Sequence, residues 1–136
     1  MSAPTELLKD VPLFGSLNRD QLQTLSRSFR ERTFPAGSEV LTEGQSGVGF
    51  FVIEDGEASV SVGGKIVRTL GPGEHFGEVA LIDSGPRSAT IIANTDLRCR
   101  GMSAWEFRPF VEEHPEVAWS LLETLVGRLR EAQEPR

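Results

Sequence analysis

The chain has 136 residues, 38% of them apolar and 25% charged, which is the size and make-up of one globular domain with enough length to bury a core. A single cysteine, Cys99, excludes a disulfide scaffold, and with only His75 and His114 to add, a structural zinc site has no support. Lys and Arg number 14 against 20 Asp and Glu, for a net charge of −6, so polymeric nucleic acid is not an expected partner, whereas a small anion held by local positive groups is compatible.

In chain order, residues 4–30 read as helical. Glu6-Leu7-Leu8-Lys9 is a short amphipathic piece that stops before Pro12. Asn18 reads as an N-cap with Gln21 as its capping-box partner. Leu22, Leu25 and Phe29 follow at helical spacing as a buried stripe. The middle reads as strands, at 32–35, 38–42, 49–54, 57–62, 65–70, 88–93 and 97–102. Eleven of the 14 glycines fall between Gly37 and Gly85 and punctuate these β-type runs. Asp55-Gly56 and Gly63-Gly64 read as hairpin turns. Residues 103–134 return to helix, with Ser103 and Glu106 as a second capping box and Pro115 opening the last helix. Pro109 should kink or shorten the helix before it. Val117, Ala118, Leu121, Leu122, Leu125 and Leu129 form one apolar face. Trp105, Phe107, Phe110 and Trp119 are expected as core contacts, Cys99 should point inward, and His75 should be a solvated loop residue. The longest large-apolar run, Phe50 to Ile53, is far short of the ~20 residues a membrane span needs, and no apolar signal core follows Met1. No membrane association is expected, and the cytoplasm is the expected location.

The chemistry concentrates in residues 71–90. Gly77 and Glu78 open a short apolar segment, Val79 to Ile82, about one helical turn long. A helix N-terminus presents free N–H groups and partial positive charge to an anion. Gly77 lets a ligand approach the backbone. Gly85-Pro86 ends the turn, and Arg87 can return a guanidinium to the same spot, where its fork suits a phosphate. Ser88 adds a hydroxyl and Ala89 a backbone N–H. A carboxylate in an anion site, Glu78, makes sense if the ligand also carries hydroxyls.

Phe76-Gly77-Glu78-Val79-Ala80-Leu81, a short turn, then Pro86-Arg87-Ser88-Ala89-Thr90 resembles the phosphate-binding cassette of cyclic nucleotide-binding domains. Leu7 to Phe14, Phe34 to Gly44 and Phe50 to Glu57 resemble the opening helix and early strands of the same family. The resemblance spans about residues 6–133. It implies a mainly β fold: an eight-stranded antiparallel β-roll (a double-stranded β-helix, jelly-roll-like) with N-terminal helices and two C-terminal helices. Residues 1–136 would be one domain, with helices in 1–31, the roll in 32–102, the cassette at 76–90, and hinge and lid helices in 103–134.

It also implies site roles. Phe76, Gly77, Glu78, Val79, Ala80, Pro86, Arg87, Ser88, Ala89 and Arg128 would bind the ligand. Glu78 would accept from the ribose 2′-hydroxyl, Gly77 and Ala89 would offer N–H groups, and Arg87 and Ser88 would hold the cyclic phosphate. Arg128 would contact Glu78, as in the catabolite activator proteins. The base would lie against Val62, Val67 and Leu70, while Ala132 and Gln133 stand where those proteins carry base-reading hydroxyls. The chain ends at Arg136, so no helix-turn-helix domain is expected.

The function so implied is a stand-alone sensor that binds a cyclic nucleotide, cAMP first and cGMP as the alternative. A hinge near 101–117 would relay a movement of the C-terminal helix to a separate effector protein. That helix is also a candidate homodimer surface. A ligand-free interaction module of the same fold is the second reading. Catalysis is not expected. Pro72-Gly73-Glu74-His75 is similar to a cupin fragment, but the His-x-His step of a cupin metal site is absent, and no Ser-His-Asp or Cys-His set has workable spacing. No metal or cofactor is expected.

Overall fold

The computed structural model describes residues 5–11, 14–15, 17–44, 49–77 and 87–133, with the backbone alone at 104, 124 and 128. Helices α1 (Thr5–Lys9) and α2 (Arg19–Ser26) precede eight strands. These are β1 (Arg30–Phe34), β2 (Glu39–Leu41), β3 (Gly49–Asp55), β4 (Ala58–Val62), β5 (Lys65–Leu70), β6 (His75–Phe76), β7 (Thr90–Ala93) and β8 (Leu97–Ser103). Helices α3 (Ala104–Glu113) and α4 (Pro115–Gln133) follow. The strands form two four-stranded sheets, ordered β1-β8-β3-β6 and β2-β7-β4-β5, and every neighbouring pair is antiparallel. This is the expected β-roll with helices at both ends.

Strand β3 explains how the layers stack. Its run Phe50-Phe51-Val52-Ile53 is buried throughout, because side chains alternate between two cores. Phe51 and Ile53 join Ala58, Val60, Leu70, Phe76, Ile91 and Leu97 inside the roll. Phe50 and Val52 face the helices, packing with Leu8, Phe14, Leu25, Phe29, Phe107 and Val117. Phe14, Phe29 and Phe50 meet edge to face, with centroids 5.9–6.3 Å apart. The second sheet has one core only: its other side leaves Ile66 and Ile92 exposed, and Val62 and Val67 are exposed as well.

The N-terminal capping box forms as read: the Asn18 N–H donates to Gln21 Oε1 and the Gln21 N–H to Asn18 Oδ1, both at 2.9 Å. The Gln21 side chain also contacts His114 and Glu116, tying α2 to the junction of α3 and α4. Helix α2 ends at Ser26, so the chain is extended again by Arg30 rather than helical to that point.

Other expectations are corrected by packing. Asp55-Gly56 does not close a hairpin, since β3 and β4 lie in different sheets. Gly56 instead turns the chain between layers with φ +100°, against the backbone at 96–97, where a Cβ would sit 2.4 Å from the Asp96 carbonyl. Gly63-Gly64 does join a paired hairpin, β4–β5. Pro109 lies inside α3 without ending it. His75 is not a loop residue: it belongs to β6, with its ring 5.6 Å from that of Phe50. Phe107 and Phe110 are core residues, but Trp105 and Trp119 are 69% and 67% exposed. On α4 only Val117 and Leu121 are fully buried, while Leu122 and Leu129 face out, so the expected apolar face is split in two.

Candidate functional site

The site is assembled where β6 ends, where β3 begins and where the chain re-enters the second sheet. Phe76 is buried, pairs with Phe51 across the ladder, and holds its ring 5.4 Å from it. This fixes the point at which Gly77 leaves the strand. Gly77 has φ +89°, a conformation that favours glycine. A Cβ there would lie 2.5 Å from the Gly49 carbonyl oxygen and 3.1 Å from Arg87 Nη1. The missing side chain is therefore what lets Gly77, Gly49 and Arg87 meet.

Arg87 is held from both ends. Its carbonyl accepts from the Gly44 N–H at 2.9 Å, and three residues on, the Thr90 hydroxyl accepts from the Glu43 N–H at 3.0 Å. Its side chain runs inward, 9% exposed, and Nη2 donates to the Gly49 carbonyl at 2.9 Å. No carboxylate pairs with it among the described residues, and Nε is buried without a hydrogen-bond partner there. Burial lowers its pKa from the ordinary arginine value, yet a guanidinium stays protonated at neutral pH. A carbonyl dipole offsets only part of the cost of burying a cation.

Of the other expected site residues, Ser88 is exposed and Ala89 is half-buried against the roll core. Glu78, Val79, Ala80 and Pro86, with the helical turn expected from Val79 to Ile82, lie outside the described residues. Arg128 lies in α4, its side chain likewise outside them. Of the residues expected against the base, Leu70 is buried in the roll, whereas Val62 and Val67 are 44% and 59% exposed. Sequence reasoning missed Gly49, whose contribution is a backbone oxygen. Its one signal was a glycine heading an otherwise bulky strand.

Cys99 and Glu54 are engaged within the fold. Cys99 is fully buried, and burial, then the Glu54 charge, pushes its thiol up to about 12. Glu54 is claimed by two arginines, with its carboxylate oxygens 2.8 Å from Arg98 Nε and 3.1 Å from Arg100 Nε. Among the described residues no three His, Cys, Asp or Glu side chains cluster as metal ligands, and no helix is long and apolar enough to cross a membrane.

Known proteins are similar to this chain in sequence and fold. The sequence profile of the cyclic nucleotide-binding domain matches residues 31–114. The cAMP-dependent protein kinase regulatory subunit of Schizosaccharomyces pombe is 43% identical over 93 residues, covering 68% of this chain and 23% of its own length. The cyclic AMP receptor protein of Thermus thermophilus is 31% identical over 130 residues, covering 92% of this chain and 60% of its own. The chain thus spans less than two thirds of either relative. The crystal structure of the N-terminal domain of a transcriptional regulator from Streptomyces coelicolor superposes with a TM-score of 0.81 at 30% identity, covering 93% of this chain and 94% of that one. With the family profile matched over more than half of the chain and the roll in place, the chain belongs to the cyclic nucleotide-binding domain family.

Proposed function

We propose that the chain is a binding module, not a catalyst, which captures a 3′,5′-cyclic nucleotide, cAMP in the first instance, on the segment 76–90. The observation that carries this reading is the buried Arg87 guanidinium, anchored by the Gly49 carbonyl beside the left-handed Gly77 and without a carboxylate partner among the described residues. In this reading Arg87 and Ser88 hold the cyclic phosphate, the N–H groups of Gly77 and Ala89 support it, and Glu78 takes the ribose 2′-hydroxyl. Phe76, Val79, Ala80 and Pro86 shape the pocket, and Arg128 approaches Glu78 from the last helix. The two relatives above, a cAMP-dependent protein kinase regulatory subunit and a cyclic AMP receptor protein, favour cAMP over cGMP.

The output in this reading is a shift of α4 about the junction at His114, which caps α3 and directly precedes α4. The ligand needs only to bind one position of that helix better than the other. Trp119, Leu122, Val126 and Leu129 recur every three or four residues on its exposed side, a stripe suited to an effector protein or a second copy of the chain. The module works in the cytoplasm as one domain.

Calorimetric titration with cAMP and cGMP, on the wild type and Arg87→Ala, tests the proposal. Removing a charge-assisted pair of about 1.5–3 kcal/mol should weaken binding at least about tenfold. The tighter nucleotide identifies the base. Absence of heat with both, from folded protein free of co-purified ligand, would favour a ligand-free interaction module.

A further inference from the structure

A cavity of about 500 Å³ opens beside Arg87. Arg30, Arg32, Phe51, Gly101 and Trp105 line it, together with Arg87 itself. In the register of β1 and β8, Arg30 stands opposite Gly101 and Arg32 opposite Cys99, while Phe51 of β3 also faces Gly101. Cross-strand partners share a face of the sheet, so both arginines lie on the same side as Phe51. Gly101 makes the room: a Cβ there would lie 2.8 Å from the Phe51 ring and 3.6 Å from Arg32 Cγ.

The charge of this cavity runs against that of the chain. The chain carries −6, yet three guanidiniums surround this one space. Arg30 and Arg32 are exposed and have no carboxylate partner among the described residues. The one carboxylate on the wall, Glu106, is occupied by the start of α3, where it accepts from the Ser103 N–H at 3.1 Å and from its hydroxyl at 2.7 Å. Trp105, 69% exposed in the first turn of α3, has no core role to account for it. An exposed indole next to arginines offers a stacking face for a base beside donors for a phosphate. The volume is that of a small-molecule site.

We propose that this cavity is a second nucleotide subsite, in which Arg30 and Arg32 hold a phosphate and Trp105 carries a base, with Arg87 as the wall shared with the cassette. Its occupant is a nucleoside monophosphate or the second half of a dinucleotide; the shared chemistry is a phosphate with an attached base. The inference rests on the cassette reading only through Arg87.

Trp119→Phe leaves Trp105 as the single tryptophan, so its fluorescence reports the cavity. AMP titrated into cAMP-saturated protein should quench it saturably. Arg30→Ala with Arg32→Ala should weaken this response at least about tenfold, while cAMP affinity, read by calorimetry, falls much less. A dinucleotide, 5′-pApA, that binds ligand-free protein more tightly than AMP assigns the dinucleotide source, and equal affinities assign the mononucleotide. The proposal is overturned if neither probe quenches at millimolar concentration in protein that binds cAMP, or if the quenching survives in the double variant. A saturable response to oligoglutamate alone also overturns it and makes the cavity a protein-docking surface. If cAMP itself fails to bind, the cassette reading falls, and AMP titrated into ligand-free protein still decides the subsite.

Discussion

Two buried arginines at opposite ends of β3 have opposite surroundings. Arg100, 6% exposed, reaches Glu54 near the end of the strand, with Nε 3.1 Å from one carboxylate oxygen and Nη2 3.4 Å from the other. Arg87, 9% exposed, reaches Gly49 at its start and finds a carbonyl. Each leaves one guanidinium nitrogen without a hydrogen-bond partner among the described residues. What separates them is the counter-charge. Arg100 has its anion built in and serves the fold. Arg87 has none among the described residues, where only the Gly49 carbonyl offsets part of its desolvation. Burial alone marks neither as functional; the proposed function turns on the difference in counter-charge.

This contrast can be broken by exchanging readouts, and the largest effect belongs to the paired site. Glu54→Gln leaves Arg100 as an uncompensated buried charge, at a cost of about 3–5 kcal/mol. The urea midpoint should fall sharply, and under conditions where the variant stays folded its nucleotide affinity should hold. Arg87→Ala should do the reverse, weakening binding as described above while the ligand-free protein melts no lower than the wild type. If Arg87→Ala destabilised the ligand-free protein as much as Glu54→Gln does, Arg87 would be a structural residue and the contrast would fail. Next in size is Gly77→Ala. Holding alanine in the left-handed region costs about 1–2 kcal/mol, and its Cβ would push against the Gly49 carbonyl that anchors Arg87. Both the thermal midpoint and the affinity should drop, which places this residue between the two arginines in character.

How far these features were legible in the sequence follows from how local each one is. Asn18 with Gln21, and the Leu22, Leu25 and Phe29 stripe, are set by spacing within one helix and the turn after it, and they stand as read. Phe76, Gly77 and Arg87 sit in one contiguous motif, so the cassette could be seen before any fold was known. The Gly49 acceptor could not, because a backbone oxygen has no side-chain signature. Asp55-Gly56 has the residues of a hairpin turn, but whether the next strand pairs or crosses to another sheet depends on partners from 90 onward. On α4 the apolar residues fit two stripes, Val117 with Leu121 and Trp119 with Leu122, Val126 and Leu129. Only the packing of α1, α2 and α3 decides that the first is buried. Trp105 reads in the sequence as a contact between the C-terminal helices and the roll, whereas the first turn of α3 turns it outward.

The effect that is smallest at neutral pH tests the built-in counter-ion from a neighbouring residue. Cys99 precedes Arg100 on β8, and burial followed by the Glu54 charge raises its thiol from 9.0 to about 12. The sign follows from linkage: the native state holds this proton more tightly than the unfolded chain does. The stabilisation is complete below pH 9 and is lost progressively as the pH rises from there toward 12. Urea midpoints measured across the alkaline limb should therefore decline in the wild type, and Cys99→Ala should flatten that decline while lowering the neutral-pH midpoint by the lost packing of a small buried side chain. In Glu54→Gln one of the two causes of the raised pKa is gone, so the alkaline decline should begin at the same pH but end sooner. An unchanged decline in Cys99→Ala would mean that another group governs this limb.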